Sequence, residues 1–178
     1  MKKSAAISNC NSFRYELERD WSDGSPLKTL GIIGLNPSTA DAEIDDNTIR
    51  KDISFAKIHG FNRILKGNLF GIRSTDPEIL NSKILNSYQT IGPDNWTYIE
   101  KILKQSEIVI LAWGAHPAAF MNGQHFIEEF FYEYGHKFYH LGPLTKMGAP
   151  RHTLYLPYSS SLNKVKELYG LLLKEKKL

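Results

Sequence analysis

Three short apolar runs constrain this chain most. Leu30-Gly-Ile-Ile-Gly-Leu35, residues 64–70 and residues 108–113 are each too brief for a buried helix, and each ends in a polar loop. Runs of this length bounded by turn residues have the pattern of strands buried on both faces. Between and after them lie stretches with helical spacing. Asp45-Asp46 heads one that runs to about His59, with Ile49, Ile53, Phe55 and Ala56 on its apolar side and Gly60 closing it. Residues 96–105, 118–134 and 163–174 read as further helices. Residues 13–19 and 137–141 read as further strands, with Phe13, Tyr15 and Leu17 sharing one face of the first. Strands alternating with helices predict a single three-layer α/β/α domain over 13–173 with a central, mostly parallel sheet. Residues 1–12 and 174–178 are then flexible termini.

Composition narrows the class. With 178 residues, 42% hydrophobic and 23% charged, the chain can bury one core. No apolar run approaches the ~18 residues needed to span a bilayer, and the basic N-terminus lacks the apolar stretch of a signal peptide. The lone Cys10 excludes an internal disulfide framework and a cysteine-based zinc cluster. These features predict a cytoplasmic protein without a membrane partner, expected as a monomer. The net charge of +3 decides little, but its distribution is uneven. Arg50, Lys51, Lys57, Arg63 and Lys66 cluster in one segment, and Lys146, Arg151 and Lys164 fall in another, while residues 74–136 carry eight acids against three bases. Segregated charge suits one face on a polyanion; it equally describes solvated lysine-rich faces.

Several common chemistries lack their motifs. Gly31 and Gly34 do not give the dinucleotide spacing, and there is no phosphate-binding loop or G-x-S-x-G elbow. His136 and His140 have metal-ligand spacing only on a helix, and their segment alternates like a strand. The trio Asp41, Asp45 and Asp46 invites magnesium, yet helix capping accounts for two of them. No metal and no cofactor is expected.

In open α/β sheets ligands bind beyond the carboxyl ends of the strands, which directs attention to the loops 36–46, 68–76 and 142–156. Asn36, fixed by Pro37, can position a water or a ligand atom with little freedom. Asn68 can donate and accept at once, which suits a nucleobase edge or the backbone groups at a strand end. Phe70 follows it and would stack a planar ring. His152, beside Arg151, reads as a polar contact to a ligand or as a cap between loops. Trp113 reads as core.

Gly34-Leu-Asn-Pro-Ser38, Gly67-Asn-Leu-Phe-Gly71, Leu111-Ala-Trp-Gly114 and the late His152 together resemble the uracil-DNA glycosylase superfamily. The first motif is similar to the water-activating motif of the branch that has asparagine rather than aspartate. The longer pattern Gly34-Leu-Asn-Pro-Ser-Thr-Ala-Asp41, Asp46-Asn-Thr48, Asn68-Leu-Phe70 and Pro150-Arg-His152 resembles the DUF1643 family, from Arg14 to about Pro157. The resemblance implies a DNA glycosylase in which Asn36 holds the water, His152 donates to the departing base and Asn68 reads it. It implies Phe70, Thr39, Asp41 and Asp46 as a roomier base pocket, and Arg151, Lys146 and Arg73 on flanking phosphates of a flipped nucleotide. Tyr155 and Tyr158 are candidates to wedge into DNA. Two departures stand out: Arg151-His152-Thr153 replaces the usual His-Pro-Ser or Asn-Pro-Ser, and the aromatic that follows the first motif is missing. A polar pocket would suit a hydroxylated or sugar-bearing base, and so a role against modified phage DNA. Two other functions are consistent with the same residues: hydrolysis of free nucleosides or nucleotides, and non-catalytic reading of modified bases.

Overall fold

The computed structural model describes residues 1–38, 40–81 and 87–165. Its strands are β1 (Lys2–Ile7), β2 (Arg14–Asp20), β3 (Thr29–Gly34), β4 (Arg63–Asn68), β5 (Ile108–Leu111), β6 (Phe138–Leu141) and β7 (Leu162–Lys164). They form one sheet in the order β1-β2-β4-β3-β5-β6-β7. The helices are α1 (Asn47–Ile58), α2 (Ser87–Ile91), α3 (Asn95–Gln105) and α4 (Pro117–Tyr134).

The period-two alternation of the apolar runs builds the layers. Leu30, Ile32, Ile64 and Ile110 point to one face and pack with Phe55 and Ala56 of α1. Ile33, Leu65, Val109 and Leu111 point to the other, against Ile99 and Ile102 of α3 and Phe126 and Ile127 of α4. Phe126 is fully buried among the rings of Trp113, Phe130 and Phe138; truncating such a side chain to alanine costs about 3–5 kcal/mol. β3 is buried along its whole length, as a strand covered on both faces must be.

Topology creates the crevice. From β3 the chain crosses through α1 to β4 on one side; from β4 it returns past β3 through α3 to β5 on the other. Right-handed crossovers in opposite directions put α1 on one face and α3 and α4 on the other. The chain therefore parts at the carboxyl ends of β3 and β5, the place where open α/β sheets bind ligands.

Three expectations are corrected. The sheet is mixed: β4, β3, β5 and β6 run parallel, whereas β1, β2 and β7 pair antiparallel at its margins. No helix separates β2 from β3, and a parallel return needs a crossover of a dozen or more residues. Residues 2–7, expected within a flexible terminus, form the edge strand β1; an edge strand has one neighbour and needs few apolar residues, and Lys3 ties it to Asp45 at 3.2 Å. Residues 163 and 164, expected to open a closing helix, belong instead to β7, with Tyr139 opposite Lys164; the rest of that helix, beyond residue 165, and the terminus 174–178 lie outside the described residues. Among the described residues no helix is long and apolar enough to cross a membrane.

Candidate functional site

A cleft of about 330 Å³ opens at this switch point. All four loops at the carboxyl ends contribute: Asn36 and Asp46 after β3, Asn68 and Ser74 after β4, Gly114 and His116 after β5, and His152 and Tyr155 from the late loop. The structure thus brings Asn36, Asn68, Asp46 and His152 together. The loop after β5, which the sequence reading passed over, supplies His116.

Asn68 forms the most unusual contact surface. It is 1% exposed, yet neither its Oδ1 nor its Nδ2 has a hydrogen-bond partner among the described residues. Its backbone carbonyl is held by Asn95 Nδ2 at 2.9 Å, which fixes the strand end. Gly34 lies opposite it in the parallel register, and a Cβ there would sit 2.7 Å from Asn68 Oδ1. Glycine at this position is what lets the amide lie across the end of β3.

Asn36 donates from Nδ2 to the Ser74 carbonyl at 2.9 Å, so its oxygen is the atom that remains to accept from a ligand or water. His152 lines the cleft. Its Nδ1 accepts from Leu154 N at 3.3 Å and caps the short turn Thr153–Tyr155. Burial, with the Lys66 charge beside it, brings its pKa down to about 4. The imidazole is therefore neutral at pH 7 with its proton on Nε2, a donor next to the cleft. His116 has the same design at the start of α4, where Nδ1 accepts from Ala118 N at 3.2 Å. The left-handed Gly114, φ +77°, turns the chain just before His116 and donates its N–H to the Pro150 carbonyl at 2.9 Å, joining the two loops.

Beneath His152 lies a buried polar chain. Lys66 on β4 pairs with Asp52 on α1, and Asp52 accepts from Thr153 Oγ1 at 2.6 Å. Lys66 lines the cleft. Arg14 lines it too, 2% exposed, with burial lowering its pKa to about 10 so that it remains charged. Neither cation is among the site residues expected from the sequence.

Several candidates have other tasks, in the cleft wall or away from it. Phe70 is in the core on the α3 and α4 side, because the strand ends at Asn68 and the chain turns inward to pair Phe70 N with the Leu35 carbonyl. Asp41 shapes its own loop, accepting from the Glu43 and Ile44 amides, which hold its carboxyl below the usual range. Asp45 pairs with Arg19 at 2.6 Å, and Asp46 Oδ1 caps α1 through Ile49 N at 2.8 Å. The acidic trio is thus divided among three tasks. Arg151 and Lys146 are exposed, and half-buried Arg73 precedes the cleft residue Ser74. Tyr155, 82% exposed, tilts against His152, whereas Tyr158 packs on Phe55 under Lys51. Thr39 lies outside the described residues. Among the described residues no group of three or more His, Cys, Asp or Glu side chains is arranged to hold a metal.

Fold and site together define an α/β protein with a cleft at the switch point of its mixed sheet. The chain belongs to the DUF1643 family, described as a protein of unknown function, whose family model matches residues 14–154. No curated protein and no solved structure matches it.

Proposed function

We propose that this chain is a DNA glycosylase of the uracil-DNA glycosylase type. It would hydrolyse the N-glycosidic bond of a modified or non-standard base and leave an abasic site. The observation that carries this reading is the Asn68 amide, buried, unpaired on both atoms and lining the same cleft as the Nε2–H of His152. A donor and an acceptor fixed side by side match the edge of a nucleobase. In the reaction the bond between C1′ and the base nitrogen breaks with its electron pair going to the base, the oxygen of water bonds to C1′, and the proton that this water sheds neutralises the departed base anion. His152 donates to the base as negative charge develops there, which needs no proton transfer from the imidazole. Asn36 orients the water; an amide is no strong base, so bond breaking precedes the attack. The base itself is the finer part of the proposal: a hydroxymethylated or glucosylated cytosine of phage DNA, giving a role in anti-phage defence.

Base release from duplexes carrying uracil, 5-hydroxymethylcytosine or glucosylated 5-hydroxymethylcytosine tests it, scored as free base and alkali-labile strand breaks. Release from one of them is expected, with His152→Ala slowing it about a hundred- to a thousandfold, or ~3–4 kcal/mol, as for loss of one preorganised donor. No release from any of the three, together with tight binding that His152→Ala leaves unchanged, would establish a reader of modified bases instead.

A further inference from the structure

β2 carries two buried arginines on one face, and their surroundings differ in a way that points to a ligand. Ala6 pairs with Glu16 but Ile7 pairs with Arg14, so Tyr15 is an extra residue in the strand. Such a bulge breaks the alternation and re-aims the side chains beyond it. Phe13 and Tyr15 consequently stack toward Tyr98 of α3, while Leu17 packs with Ala40 and Ile49 on the α1 side; the three do not share the face expected from the sequence. Arg14 is turned to the α1 side, where it reaches the cleft.

Arg19 shows what a structural arginine looks like here. It is fully buried and pairs with Asp45 at 2.6 Å, with further bonds to the Asp41 and Glu18 carbonyls at 2.6 and 2.8 Å. Arg14 has one side-chain bond among the described residues, from Nη1 to the Ala40 carbonyl at 2.5 Å. Its Nε is buried without a partner. Among the described residues no carboxylate lies within ion-pair distance of it. Of the other charges of the cleft, Lys66 is matched by Asp52, and Asp46, whose field favours the Arg14 charge, spends its Oδ1 on the start of α1 and forms no ion pair with Arg14. A buried guanidinium with unfilled donors is costly, and its planar fork fits an oxyanion.

We propose that Arg14 is the anion-recognition residue of the cleft and holds a phosphate of the nucleotide bound there. The inference rests on the glycosylase reading only in naming the anion a phosphate. That phosphate is either the backbone phosphate beside a flipped nucleotide or the 5′-phosphate of a free one, and the test separates them.

Calorimetry on the full chain compares deoxycytidine with its 5′-monophosphate, and a short single-stranded oligonucleotide with the same oligonucleotide carrying one neutral methylphosphonate beside the target. The charged member of at least one pair should bind about tenfold or more tightly, the usual weight of a charge-assisted contact. Arg14→Gln should abolish that advantage, and Arg14→Lys, which keeps the charge but not the fork, should retain part of it. An advantage in the first pair assigns a free nucleotide, and one in the second assigns the DNA backbone. Equal or absent binding within both pairs in the wild-type chain overturns the inference without any variant, as does an advantage that survives in folded Arg14→Gln. Base release is scored separately: an Arg14-dependent phosphate advantage without base release leaves the inference standing and removes the glycosylase. Base release with no such advantage does the reverse.

Discussion

Leaving a buried polar atom unpaired costs about 1–3 kcal/mol, and Asn68 carries two such atoms while Arg14 carries another. Unpaired buried atoms also occur away from the cleft, on Glu16, His59 and Tyr134; on the proposed reading, those of Asn68 and Arg14 are the ones that ligand binding repays. His152 extends the same logic to pH. Its folded pKa of about 4 lies below its ordinary value of 6.5, because burial disfavours the imidazolium. As pH falls through about 6.5 the unfolded chain takes up this proton, and the folded chain does not until about pH 4. The unfolded state binds more protons in that window, so stability is highest above it and declines as pH drops from about 6.5 to 4. The urea midpoint should therefore fall between pH 7.5 and 5 more steeply in wild type than in His152→Gln; parallel declines would show that this ring titrates normally. The sequence made Asn36, Asn68, Asp46 and His152 legible because each sits at a strand end or helix start. Arg14 and Lys66 were not legible, since charged residues are assumed to face solvent and nothing local announces a bulge or a buried partner. Phe70 misled for the complementary reason: an aromatic next to a site residue is usually core.

At the scale of elements, the site depends on a tie between three of them. Lys66 from β4, Asp52 from α1 and Thr153 from the turn beside His152 meet out of water, with Asp52 fully buried. Removing one member of a buried ion pair leaves the other charge uncompensated and costs about 3–5 kcal/mol, whereas replacing both by apolar groups of like volume is often neutral. Lys66→Met should lower stability by that amount in equilibrium urea unfolding, and Lys66→Met with Asp52→Leu should recover most of it. A double variant no more stable than the single one would mean that the pair does not act as a unit. The strands that position this tie were readable as apolar runs. β1 and β7 were not, because β1 opens with Lys2-Lys3-Ser4 and β7 is three residues long. Edge strands carry charge to discourage further pairing, and so their sequences resemble tails.

At the scale of the molecule, the crevice follows from the order of the strands, and the proposed nucleic-acid partner is tested through charge. Much of the basic cluster of the first half has internal employment. Lys66 pairs with Asp52, Arg63 with Glu18, and Lys51 lies 3.6 Å from the centre of the Tyr158 ring. Arg50 Nη1 is bonded to the Asp45 carbonyl at 2.6 Å. The segregation seen along the sequence therefore overstates the cationic surface, and the exposed Arg151 and Lys146 of the late loop become the cations to test against a nucleic acid. Each phosphate neutralised on duplex DNA contributes about −0.9 to the slope of log affinity against log salt concentration. Lys146→Ala and Arg151→Ala should each flatten that slope by about one and weaken binding alike across base sequences. Arg63→Ala, whose charge is already paired with Glu18, should leave the slope unchanged. Fluorescence anisotropy across a salt series reads all three, and slopes that match wild type in both late-loop variants would place the DNA backbone away from that loop.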